Sequence, residues 1–171
     1  MAIVKATYTR KGGNAKASVR YIENRPGKDG AKCQRTLFTA DGKVERTEVY
    51  TMIDQADKTS YFYRFVIGPD PEREDGDKNL SLRELTERTI QDLEDRFQQP
   101  LGWVAAIHDD HTENRHIHAI VVVPGRLQVQ DFQQMRSAAT VAAQEQRRQL
   151  DLARERREVI KELHEGLGLS W

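Results

Sequence analysis

The sequence predicts an α+β fold: a mainly antiparallel central β-sheet with helices packed on it and a long helix at its carboxy-terminal end. Three observations carry that expectation. The apolar pattern switches between a two-residue and a helical period in the order strand, helix, hairpin, helix, strand, helix, strand, strand, long helix. The last two strand patterns, WVAAI and RHIHAIVVV, are joined by a short loop, so they pair antiparallel. Finally, Phe132 to about Glu165 reads as one helix.

Taken in order, Ala2 to Tyr8 reads as a first strand. Lys11-Gly12-Gly13 is a flexible turn, after which Asn14 is positioned to cap a helix running to about Asn24, ended by Arg25-Pro26-Gly27. Thr36 to Thr39, Asp41-Gly42 and Val44 suggest a short hairpin, because Asp-Gly suits a tight turn. Glu48 to Gln55 reads as a short helix. The β-branched and aromatic run Tyr61 to Ile67 reads as a buried strand stopped by Gly68-Pro69. An acidic loop follows, and Ser81-Leu-Arg-Glu84 is a capping box opening a helix that Pro100 closes. Trp103 to Ile107 and Arg115 to Val123 are the final strands, and Asp131 is the expected cap of the last helix. At ~1.5 Å per residue that helix is roughly 50 Å long, so it must bend, break or project as an arm.

The chain has 171 residues, 32% charged and 37% hydrophobic, enough for one domain with a real core. Residues 1–130 form the expected core and 131–171 a helical extension of it. No apolar run approaches the ~20 residues of a membrane span, and MAIVKATYTRKGG is too polar for a signal peptide. The single cysteine, Cys33, excludes an internal disulfide and fits a cytoplasmic location. Formal net charge is zero, but its distribution is uneven. Residues 1–36 carry nine bases against two acids, and residues 70–96 carry ten acids against five bases. A basic end steers polyanions. The arginines of the last helix, Arg147, Arg148, Arg154, Arg156 and Arg157, are matched by acids at i,i+3 and i,i+4 spacing and read as a self-paired exposed surface. Phe132, Met135, Ala139 and Ala142 are its docking stripe, while Val159, Ile160 and Leu163 fall on a distal half that docks elsewhere or joins a partner helix.

The stretch HDDHTENRHIHAIVVV, residues 108–123, holds four of the five histidines. Alternation along a strand puts His116 and His118 on one face, about 7 Å apart. A hairpin brings back a third histidine, His108 in preference to His111. Three neutral imidazoles with an open position describe a catalytic metal site. Asp110 is placed to accept the other ring N–H of a ligand histidine. Histidines alone suit zinc, manganese, iron, nickel or copper, and a phosphate substrate supplying oxygen ligands favours Mn²⁺ or Mg²⁺.

All five tyrosines precede His108. Tyr8, Tyr61 and Tyr63 read as core strand residues, whereas Tyr21 lies on the basic helix AKASVRYIENR. That helix, YRFVIGPDPE and LGWVAAIHDDHTENRHIHAIVVV together resemble the relaxases, the HUH-type nucleases that nick plasmid or conjugative-element DNA, in their plasmid-mobilisation class. The likeness covers about residues 1–125. Two positions differ from the pattern: the step from His108 to His116 is one residue longer, and Gly68 stands where a serine usually precedes the proline.

The resemblance implies an HUH-endonuclease-like fold, with Tyr21 as nucleophile and His108, His116 and His118 as ligands of Mn²⁺ or Mg²⁺, with Zn²⁺ a further candidate. It implies a single-stranded substrate at a transfer origin, a 5′-phosphotyrosyl intermediate, and accessory relaxosome and coupling proteins as partners. Lys11, Lys16, Arg20 and Arg25 would hold the strand. Two other readings fit the same residues: a metal phosphoesterase with a water nucleophile, in which Tyr21 is dispensable, and an origin-binding accessory protein that no longer cleaves.

Overall fold

The computed structural model describes residues 1–27, 29–109 and 113–168. Its elements follow the expected order: β1 (Ile3–Thr9), α1 (Gly12–Asn24), β2 (Phe38–Thr39), β3 (Gly42–Lys43), α2 (Arg46–Asp54), β4 (Tyr61–Gly68), α3 (Leu82–Phe97), β5 (Trp103–His108), β6 (His116–Val123) and α4 (Val129–Gly166). The fold is α+β. Six strands form one sheet in the order β1-β4-β6-β5-β2-β3, and every neighbouring pair is antiparallel.

Strand alternation sorts the apolar side chains into two layers. On one face Phe62, Val104, Ala106 and Ile120 pack against Ala15, Val19 and Ile22 of α1 and Val49 and Ile53 of α2. On the other, Phe65, Ile117, Ala119 and Val121 meet Leu85 and Leu93 of α3 and Met135 and Ala139 of α4. β4 and β6 are therefore buried on both faces, which explains why YFYRFVI and HIHAIVVV are nearly continuous apolar runs.

Several boundaries differ from the sequence reading. α1 begins at Gly12 with Lys11 as its cap residue, and Asn14 instead donates its side-chain amide to Thr9 Oγ1. A Cβ on Gly12 would sit 3.5 Å from Ile53 Cγ2, so this first turn packs directly on α2. α2 starts two residues earlier than expected, where Glu45 and Glu48 form a reciprocal capping box. α4 likewise starts at Val129: Gln128 is the cap and Asp131 is the third helical residue, bonded back to the Gln128 amide. Ser81 does cap α3, accepting from the Glu84 amide. Tyr8 is not a core residue; it is 47% exposed, because β1 is an edge strand and Tyr8 lies near its end.

α4 runs unbroken for 38 residues, about 57 Å. Met135, Ala139, Ala142 and Ala143 are buried and Phe132 packs beside them, but every residue from Asp151 to Leu163 is exposed. The helix thus projects as an arm, its charges paired along its own axis through Arg147–Asp151 and Arg154–Glu158, both at 3.2 Å. Among the described residues no helix is long and apolar enough to cross a membrane.

Candidate metal centre

β5 and β6 form a hairpin in which His108 lies directly opposite His116 and Ala106 opposite His118. All three histidines face the α1 side of the sheet. Their ring centroids are 4.5 Å (His108–His118), 5.1 Å (His116–His118) and 5.4 Å (His108–His116) apart. One candidate ligand nitrogen from each lies within 4.8 Å of the other two. The three imidazoles can hold one metal ion, and among the described residues they are the only such group of three or more. Asp110 and His111 lie outside the described residues, so the described third histidine is His108.

Backbone carbonyls orient two of the three rings. His108 Nε2 lies 3.1 Å from the Ile22 carbonyl oxygen, and His116 Nδ1 lies 2.9 Å from the Asn114 carbonyl oxygen. A carbonyl can only accept, so each bond requires N–H on that ring nitrogen. In the neutral imidazole the opposite nitrogen then carries a lone pair. These two carbonyls serve the orienting purpose that a carboxylate serves in other histidine sites. His118 is the more telling residue. It is 6% exposed, and neither ring nitrogen has a hydrogen-bond partner among the described residues. A buried imidazole left in that state is costly, and a metal ion is the partner that two neighbouring lone-pair donors equip it to share. Burial pushes the His118 pKa down to about 3, helped by His108, His116, Arg25 and Arg64, so it is the neutral ligand form at neutral pH.

Surrounding contacts fix the hairpin's return. Arg115, immediately before His116, makes a two-pronged ion pair with buried Asp75 at 2.8 and 3.0 Å and donates to the Leu80 carbonyl at 2.8 Å. The acidic loop is therefore tied to the residue that leads into β6. Gly68 at the end of β4 approaches the same return closely: a Cβ there would lie 3.2 Å from the Arg115 carbonyl and 3.4 Å from His116 Cβ. A serine at this position would crowd the strand that carries the histidines.

Comparison with known protein families and with curated proteins finds no match for this chain.

Tyr21 is next to Ile22, whose carbonyl holds His108, so α1 brings the Tyr21 backbone close to that histidine. Its side chain is 44% exposed, and the guanidinium carbons of Arg25 and Arg64 lie 5.7 and 5.6 Å from its ring centre. The other basic residues expected to hold a strand divide into two groups. Lys16 pairs with Asp54 at 2.6 Å and Arg20 donates to Tyr50 Oη at 3.0 Å, which turns both toward α2 and away from Tyr21. Lys11 is exposed at the start of α1, and Arg25 alone of the four accompanies Tyr21. Arg64 escaped the sequence reading. The available signal was one charge inside the apolar run YFYRFVI, but its neighbours depend on the β4–β6 register.

Proposed function

We propose that the protein is a metal-dependent, site-specific single-strand DNA endonuclease and strand transferase of the relaxase type. The observation that carries this reading is the buried, unpartnered His118 within a three-histidine cluster whose wall is the helix bearing Tyr21. His108, His116 and His118 hold the cation, with Mn²⁺ or Mg²⁺ favoured and Zn²⁺ a further candidate. When bound, such a cation withdraws charge from the scissile phosphate and helps position it. The residues of the chain supply the rest. The Tyr21 phenolic oxygen attacks phosphorus, the bond from phosphorus to the 3′-oxygen breaks, and the departing oxygen leaves as a 3′-hydroxyl carrying the proton lost by tyrosine. A 5′-phosphotyrosyl bond remains, and the reverse attack rejoins the strand. A tyrosine hydroxyl needs a base or a nearby cation to attack, and the guanidinium carbons of Arg25 and Arg64 lie 5.7 and 5.6 Å from the Tyr21 ring centre.

The substrate is single-stranded DNA at a transfer origin, with relaxosome and coupling proteins as partners in mobilisation. The test is strand cleavage of origin DNA with Mn²⁺ by the unchanged protein, by Tyr21→Phe and after chelation. Loss in both of the latter supports the proposal. Cleavage that survives Tyr21→Phe but not chelation identifies a phosphoesterase with a water nucleophile. Metal-dependent DNA binding without cleavage by the unchanged protein identifies an accessory protein.

A further inference from the structure

We infer that Arg64 and Arg25 form a phosphate-binding subsite beside Tyr21, which grips the backbone of a single-stranded nucleic acid next to the metal centre. Arg64 projects from β4 onto the α1 face, where β6 presents His118 two residues from its pairing partner Ile120. It is half-buried, yet it makes no ion pair or hydrogen bond with any described residue. Arginines elsewhere in the molecule contrast with it: Arg46, Arg83, Arg88, Arg96, Arg115 and Arg147 all meet carboxylates. A partly desolvated guanidinium without a carboxylate is a ready hydrogen-bond donor to a planar or tetrahedral oxyanion.

Arg25 is the residue that ends α1. Its backbone carbonyl accepts from Arg35 at 2.6 Å, which fixes the chain just after α1, while its own guanidinium has no described carboxylate partner and lies against the same tyrosine ring as Arg64. Both cations are also close enough to His118 to disfavour its protonation. Two cations without a carboxylate partner among the described residues, a tyrosine and a metal-ligand cluster are thus gathered on one face. A groove of about 150 Å³ between β1 and α1 is lined by Arg64 together with Thr7, Thr9, Asn14 and Ser18, over an apolar floor that includes Phe62 and Ile120. Its polar side chains donate to phosphate and sugar oxygens without reading bases, so the groove continues the backbone track.

This subsite rests on the proposed reading for its role in cleavage, but its binding can be measured separately. The probe is a short fluorescent oligothymidylate, titrated by anisotropy over a salt series with the unchanged protein, Arg64→Gln, Arg64→Lys and, as a control, Arg88→Gln. Arg64→Gln is expected to weaken binding roughly 10- to 100-fold and to reduce the salt slope by about 0.7. Arg64→Lys keeps the slope and loses part of the affinity, and Arg88→Gln changes neither. An unchanged slope in Arg64→Gln, or no binding by the unchanged protein, overturns the subsite. If the slope falls but no cleavage ever occurs, the subsite stands and the strand-transfer reading fails. If cleavage occurs and Arg64→Gln leaves slope and affinity intact, the reverse holds.

Discussion

Replacing His118 with leucine has opposite effects on the metal-free and the metal-bound protein, and both can be sized. His118 is 6% exposed and neither of its ring nitrogens has a described partner. Leaving a buried polar group unsatisfied costs about 1–3 kcal/mol. Leucine has a similar volume, suits the same strand position and brings no polar atom into that space. Metal-stripped His118→Leu should therefore be more stable than the stripped parent by about 1–3 kcal/mol. For a domain of this size each kcal/mol moves the midpoint by roughly 2–4 °C, so thermal unfolding followed by circular dichroism resolves it. Adding Mn²⁺ at about a hundred times its dissociation constant stabilises the parent by about 2.7 kcal/mol. The leucine variant, lacking a central ligand, should show no such shift. A stripped variant that unfolds below the parent, together with a metal shift that survives the substitution, would refute the argument. In that case His118 would be a satisfied core residue and the metal would sit elsewhere.

Acid should destabilise the metal-free protein through the same residue. The folded His118 pKa is near 3 and the unfolded value near 6.5, so the unfolded chain binds the extra proton. Stability is complete above about pH 6.5 and declines as pH falls toward 3, by about 2 kcal/mol at pH 5; urea midpoints at pH 7.5 and 5 measure it, and His118→Leu should flatten the difference. Asp75→Ala strands the partly buried Arg115 guanidinium and should cost about 2–4 kcal/mol, read from the same denaturation curves. Because Arg115 precedes His116, that variant should also bind metal more weakly in calorimetric titration. Gly68→Ala should weaken metal binding with little loss of thermal stability, since its new Cβ presses on Arg115 and His116.

The parts of this account legible in the sequence are those fixed by local chemistry. The His116–His118 pair follows from strand alternation, and the short β5–β6 connection brings His108 opposite His116. The docking stripe at Met135, Ala139 and Ala142 follows from helical spacing. Helix starts were less legible because several side chains compete for each cap: Gln128 wins over Asp131, and the Gly12 turn enters α1 ahead of Asn14. Long-range pairing was not legible at all. The first strand, β1, lies beside β4, far from it in sequence, and that placement leaves Tyr8 at an exposed edge. The same non-local register sets Arg64 against Tyr21, a contact no spacing could announce. The carbonyls of Ile22 and Asn114 that orient His108 and His116 are backbone atoms, carried by every residue and therefore invisible in a sequence motif.

Tyr21 acting as a nucleophile beside a three-histidine metal centre leaves a covalent trace. The most direct measurement is covalent capture: incubate the protein with single-stranded DNA of its cognate transfer origin and Mn²⁺, then map DNA-linked peptides by mass spectrometry. The expected result is an adduct on Tyr21 that disappears when the metal is chelated or His118 is replaced. An adduct on a different tyrosine, or cleaved DNA with no adduct, would contradict it.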